Sequence, residues 1–404
     1  MPLANTRYRY GSLAKLLHWL TALGIVILIP LGILASDAPY DTSEALARKA
    51  LLFSLHKTLG LGLFALALLR ILWALTQPKP APLHPERRLE TLLAGVVHWL
   101  LYGSLLAVPL SGWVHHAATT GFAPIWWPFG QDLPFVPKDP ALADLAAGLH
   151  IVFERVLLVA ILLHVAGALK HAIVDRDATL RRMLPGTPAI AAPSQPAHSR
   201  HTLAAPVLAL AIWGAALSLG AALGAFSHGS AATRAAPLQA VASDWTVTQG
   251  SLALTIRQFG AEVSGRFDDW TAAISFEDRP DPGPLGTVEV LVSVPSLSLG
   301  TVSAQALGPD FLNAQDHATA RFAATIRRAA DGFVAEGTLD LRGVTQPLSL
   351  PFQLVLEGDR AEMQARLTLD RRDWGIGMTI TDAAQLGFDV DLTIALTAQR
   401  AARP

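Results

Sequence analysis

Five stretches of this chain are apolar over membrane-spanning length: 16–35, 55–75, 92–114, 145–169 and 203–226. About 20 predominantly apolar residues are enough to cross the hydrocarbon core as a helix. The first, third and fifth stretches hold no Asp, Glu, Lys or Arg, the second contains Lys57 near its start and Arg70 near its end, and the fourth contains Glu154 and Arg155. A signal peptide is not the reading at the N-terminus, because more spans follow without a small-residue cleavage site. Composition agrees: 51 % of the 404 residues are hydrophobic and 16 % charged, where a globular domain carries about 25 % charged residues. That hydrophobicity excludes disorder. The absence of Cys excludes disulfides, iron–sulfur clusters and thiolate zinc sites, so any metal is left to His or carboxylate.

Charge separates two halves. Residues 1–226 carry 17 Lys/Arg against 11 Asp/Glu, whereas residues 227–404 carry 14 Arg, no Lys and 21 Asp/Glu. The acidic half argues against a nucleic-acid partner. With a cytoplasmic N-terminus, the segments on the inner side hold 12 basic residues, and those on the outer side hold only Arg48, Lys49, Lys57 and Lys138. This positive-inside bias sends the fifth span outward and delivers everything after it to the far side of the membrane. Tryptophans at 19, 73, 99, 113, 126 and 127 fall near the expected span ends, as an aromatic belt requires. Residues 185–202 read as a cytoplasmic linker and 227–243 as a periplasmic one. From about residue 244 the hydrophobic period becomes two, as in Leu252/Leu254/Ile256, in 348–356 and in 388–396. With turn signals at 280–286, 331–332 and 358–359, this predicts an antiparallel barrel or sandwich.

His18, His56, His98, His150 and His164 lie inside spans, where ionisable groups are costly and mark function. His150 and His164 are 14 residues apart, so one helix separates them by about 21 Å and points both roughly the same way. His18 lies level with His164 on the inner side, and His56 level with His150 on the outer side. Imidazoles facing each other across a bundle, with no Cys or Met competing, suit six-coordinate haem b. Zinc would want three or four ligands clustered at one depth. His98 starts the third span on the inner side and could replace His18 as a ligand; it reads rather as a contact to a haem propionate or a quinone, or as a helix-packing group. The tandem His115-His116 reads as part of a solvated outer loop. Glu154 and Arg155 are adjacent and do not share a helix face. An internal salt bridge is therefore not expected, and Arg155 is a second candidate for a propionate or quinone contact.

The stretches Leu17-His18-Trp19, Leu55-His56-Lys57, His98-Trp-Leu-Leu-Tyr102, Val108-Pro-Leu-Ser-Gly-Trp113 and the tail 170–185 make residues 7–184 resemble the bacterial cytochrome b561 family. That resemblance implies a four-helix bundle of the inner membrane with two haems b on His18, His56, His150 and His164. It also implies electron exchange between ubiquinone, or another isoprenoid quinone, and a partner on the outer face. Some members of that family take the electron from superoxide.

Residues 244–400 hold no trusted catalytic constellation: His317 is their one His, and Asp268, Asp269 and Asp281 read as a solvated face. The segments Val263-Ser-Gly-Arg-Phe267, Pro309-Asp-Phe-Leu312, 337–348 and Arg371-Arg-Asp-Trp-Gly-Ile376 resemble the YceI-like family of lipocalin-like barrels that bind polyisoprenoid chains. An eight-strand barrel has room for one elongated ligand. Alternation turns Leu252, Leu254, Phe322, Leu350, Phe352 and Leu354 inward, either into a dry core or onto a lipid cavity.

The expected organisation is thus an all-α transmembrane di-haem bundle (7–184), a linker (185–202), a fifth transmembrane helix (203–226), a second linker (227–243) and an all-β barrel (244–400). The expected function is electron transfer with a quinone, an oxidoreductase activity if the chain is an enzyme, beside a tethered domain for quinone or membrane lipid. The alternative is a membrane-anchored lipid-binding module whose haem is accessory. A further alternative has the chain cleaved at 226–232, because 203–226 preceded by Arg200 looks like a secretion signal.

Overall fold

Each apolar stretch forms a helix: α1 (Ser12–Asp37), α2 (Ser43–Thr76), α3 (Arg88–Ala118), α4 (Pro140–Ile173) and α5 (Ala204–Ala222). The computed structural model describes residues 2–119, 123–186, 203–226, 238, 243–279, 283–330 and 332–401. Nearly all of both expected linkers, and Asp281, lie outside the described residues. The chain divides into two compact units, one built of helices and one of the strands together with residues 38–51 and 119–124.

Helix starts follow local chemistry. Asp139 caps α4 by accepting from the Leu142 N–H, and Pro140 occupies the first turn, where its missing N–H costs nothing. The outer faces stay apolar: Leu23, Val26, Ile33, Leu72 and Leu162 are all exposed. A soluble bundle does not tolerate so continuous an apolar surface, and a lipid-facing one requires it. The chain is membrane-embedded.

The fifth helix is a packed member of the bundle. Its Ala209 and Trp213 join Val96 and Leu100 of α3 and Val156 and Ala160 of α4 in one buried cluster. Trp213 lies against Gly103, where a Cβ would come within 1.9 Å of the indole. Close approach through a small residue is how helices gain contact in lipid, where hydrophobicity no longer drives association.

The strands are β1 (Trp245–Gln258), β2 (Ala261–Phe267), β3 (Trp270–Phe276), β4 (Pro284–Ser293), β5 (Leu297–Ser298), β6 (Thr319–Ala329), β7 (Gly332–Leu341), β8 (Val344–Glu357), β9 (Arg360–Asp370) and β10 (Leu386–Arg400). All pair antiparallel in one sheet, and β10 pairs back onto β1. Eight of them therefore close a ring in the order β1-β3-β4-β6-β7-β8-β9-β10. β1 is shared along its length: Trp245 pairs with β3, and residues 252–258 pair with β2, which carries the short β5. Closure leaves the ring without an unpaired edge. The turn expected at 358–359 is a two-residue hairpin loop with Gly358 at φ 61°, a conformation that glycine adopts without strain.

Candidate functional site

Two levels of imidazoles occupy the helical bundle. At one level His56 of α2 and His150 of α4 face each other with ring centroids 6.4 Å apart. At the other, His18 of α1 and His164 of α4 are 6.1 Å apart. Two imidazoles gripping one metal ion from opposite sides place their centroids about 6 Å apart, from metal–nitrogen distances of about 2 Å plus the ring radii. Both expected pairs therefore meet.

The His56–His150 level is set by backbone. Nδ1 of His56 lies 3.1 Å from the Leu28 carbonyl, and Nδ1 of His150 lies 2.8 Å from the Val108 carbonyl. A carbonyl only accepts, so each Nδ1 carries the proton and donates it, and each Nε2 keeps its lone pair. That orienting bond is the usual partner of a metal-ligating His. Each ring also lies on a glycine: a Cβ at Gly32 would come within 2.8 Å of His56, and one at Gly112 within 3.0 Å of His150. The motif Val108-Pro-Leu-Ser-Gly-Trp113 thus supplies both the acceptor and the floor for His150. This level fits an iron porphyrin's axial requirements.

The second level holds three imidazoles. His98 of α3 sits 5.2 Å from His164, and its Nδ1 donates to the Ala94 carbonyl at 2.6 Å. His98 is exposed, whereas His18 and His164 are half-buried. Nδ1 of His18 lies 3.2 Å from the Arg70 guanidinium. Arginine only donates, so Nδ1 is the acceptor of this contact; to hold an iron through Nε2, His18 would have to release Arg70 and carry its proton on Nδ1, as His56 and His150 already do. Arg70 also lies over the Tyr102 ring.

Two expectations are corrected. Arg155 does pair with Glu154, Nη1 to Oε2 at 3.3 Å; both side chains are long enough to curl toward each other even though their Cβ atoms diverge. Arg155 is otherwise exposed. His115 and His116 belong to the last turn of α3 and are partly buried, not loop residues in solvent. His115 Nδ1 donates to the Ala143 carbonyl at 2.9 Å.

An ionic clasp that the sequence reading missed joins the start of α3 to the end of α4. Lys170 reaches Glu90 and Asp175, both at 2.8 Å, and Arg87 reaches Asp175 at 3.1 Å. His171 lies 3.0 Å from Asp175 and 2.7 Å from Asp177, which also meets His84 at 3.2 Å. Hydrogen bonding from Lys170, then from Arg87, holds the Asp175 carboxyl down at about 2. Glu90, His171 and Asp175 bring ligand atoms together, but two cations already neutralise these carboxylates.

In the barrel, the inward faces surround a cavity of about 300 Å³. Leu252, Leu254, Phe322, Leu350, Phe352 and Leu354 all lie on its wall, as alternation requires. The inward side chains line a cavity rather than fill a dry core. Asp268 is bound to Arg266 at 2.5 Å, a solvated pair.

Comparison with known proteins follows the same division. Residues 9–186 match the family model of prokaryotic cytochrome b561. They are similar to cytochrome b561 homolog 2 of Escherichia coli (strain K12), 33 % identical over 190 residues, 46 % of this chain and 95 % of that protein. The chain belongs to the prokaryotic cytochrome b561 family. A second relative in this family, 28 % identical over 178 residues (44 % of this chain, 96 % of the relative), is named "Probable superoxide oxidase CybB" in Yersinia pestis. Residues 244–398 match the YceI-like domain, and a UPF0312 protein of Shewanella putrefaciens (strain CN-32) is 31 % identical over 176 residues, 39 % of this chain and 90 % of that protein. This cytochrome b561 therefore carries a YceI-like domain. Membership implies haem b and membrane electron transfer.

Proposed function

We propose that this protein is a di-haem b carrier of the bacterial inner membrane that exchanges electrons with ubiquinone or a related isoprenoid quinone. Its barrel, on the periplasmic side, binds the quinone or a membrane lipid. The observation that carries this reading is the pair of opposed imidazoles at each of two levels, 6.4 and 6.1 Å apart. His56 and His150 hold one haem and His18 and His164 the other. Haem b, when bound, supplies a one-electron iron couple. The chain's part is to orient each imidazole through Leu28, Val108 and its glycine floors, and to keep the level dry with Leu and Ile side chains. His98, exposed beside His164, serves as a contact for a propionate or a quinone oxygen.

The positive-inside bias supports the orientation, and the division of the chain supports a bundle at 7–184, a fifth helix at 203–226 and a barrel at 244–400. Superoxide is the second reading for the electron donor, favoured by the name of the Yersinia pestis relative. A periplasmic redox partner is the other source on that face. The apolar cavity also supports the alternative of a lipid-binding module with accessory haem.

A reduced-minus-oxidised spectrum with haem quantified per chain tests the proposal. Two haems b per chain are expected, and His56→Ala or His150→Ala each leave one. His18→Ala removes the other, whereas His98→Ala retains both. Folded wild-type protein without a b-type signal sinks the reading. Haem that ignores both quinol and superoxide, in a chain that copurifies with lipid, selects the alternative.

A further inference from the structure

One side of β1 presents Leu252, Leu254, Ile256 and Gln258 to the barrel cavity in alternation. The row is aliphatic until its last member. Gln258 is only 3 % exposed, and its Oε1 has no hydrogen-bond partner among the described residues. A buried amide left unpaired costs about 1–3 kcal/mol, so its presence in an aliphatic row calls for a polar partner that enters with a ligand.

The nearest charged candidate for anchoring that ligand is excluded by its own bonding. Arg371 also lines the cavity, at the same end, because Gln258 pairs with Leu386 and Arg371 binds the Leu386 carbonyl. A guanidinium has five N–H donors, and all five of Arg371 are directed at main-chain carbonyls. Nε donates to Gly387 at 3.0 Å, Nη1 to Ile376 and Gly377 at 2.7 and 2.6 Å, and Nη2 to Ile380 and Leu386 at 2.7 and 3.3 Å. No donor remains for a phosphate, and a buried phosphate without a countercharge carries a heavy desolvation penalty.

We infer that the cavity takes an apolar chain ended by one neutral oxygen, a hydroxyl or a carbonyl, which hydrogen-bonds to Gln258, and that it rejects the corresponding diphosphate. The inference rests on the barrel binding an isoprenoid. Gln258 is the specificity determinant: its amide offers an acceptor to a prenol or quinol hydroxyl and a donor to a quinone carbonyl. Selectivity for a neutral head is what a carrier beside a redox centre needs, because quinone and quinol are both uncharged.

The test uses the full chain in detergent micelles. Displacement of a fluorescent lipid measures binding of squalene, geranylgeraniol, a four-isoprene ubiquinone and geranylgeranyl diphosphate. The barrel's share is what is lost in Ala335→Phe, which fills the cavity wall. Wild-type protein is expected to prefer geranylgeraniol or the ubiquinone over squalene about ten-fold, consistent with one net buried hydrogen bond, and to bind the diphosphate at least ten-fold more weakly than the alcohol. Gln258→Leu is expected to collapse the alcohol-to-squalene ratio to about one, a ratio that does not depend on the folded fraction. Tighter binding of ubiquinone than of the alcohol assigns the head as a carbonyl, and the reverse assigns a hydroxyl. Diphosphate binding as tight as that of the alcohol, or an unchanged ratio in Gln258→Leu, overturns the inference while leaving the isoprenoid cavity in place. Failure of every probe, squalene included, to bind in the barrel overturns the cavity reading itself.

Discussion

Arg371 shows how one side chain organises a barrel end. Its five donors gather the carbonyls of Ile376, Gly377 and Ile380, in the connection between β9 and β10, and those of Leu386 and Gly387 at the start of β10. Arg371→Met leaves those carbonyls without donors and is expected to destabilise the barrel by about 3 kcal/mol or more. Hydrogen exchange in the full chain should then show faster exchange in β9 and β10 while α1–α4 keep their protection. Asp175 makes a pH prediction. Its carboxyl is held below its ordinary value, so the stability it contributes is fully present above about pH 4. That contribution is lost as the pH falls toward about 2. The thermal midpoint of the helical unit should drop across this window, and Asp175→Asn should flatten the drop. An identical acid profile in that variant would remove the clasp from the account of stability. The motif tail 170–185 was visible in the sequence, but the clasp was not, because it joins that tail to Arg87 and Glu90, some 80 residues away.

At the scale of elements, α5 and β1 differ in how much of their role is local. The length and apolarity of α5 identify a span from composition alone. Its placement against α3 and α4 depends on Gly103 meeting Trp213, a match between distant residues. Gly103→Leu is expected to lower the hydrogen-exchange protection of α5 at least ten-fold, with haem content unchanged; retained protection would mean that α5 needs no such seat. The packing also weighs against the reading of 203–226 as a removable signal, which immunoblotting membranes for one full-length species checks directly. In β1, alternation predicts the inward row correctly, since side chains of a strand point to opposite faces in turn.

For the whole molecule, the fusion itself carries the argument. On the proposed function, joining a quinone-binding barrel to a haem carrier would raise the local concentration of quinone at the redox centre. Filling the cavity with Ala335→Phe should therefore slow haem oxidation by quinone about ten-fold or more when quinone is scarce, and leave the rate unchanged at saturation. Stopped-flow oxidation across a quinone series measures both limits. Equal rates at every concentration would separate the barrel from electron transfer.

Periodicity, charge counts and residue spacing are properties of the chain itself, so they are legible before folding. From them come five spans, an antiparallel barrel or sandwich of alternating strands, histidines at two depths 14 residues apart and two halves of opposite charge. What only tertiary structure decides is who meets whom. That His98 comes closer than His18 to His164, that Arg70 meets the His18 ring, and that Glu154 folds back on Arg155 all depend on side-chain direction. The same holds for a cavity instead of a dry core, and for an arginine with no donor to spare. Such facts are sums over contacts between residues far apart in sequence, and no local pattern encodes them.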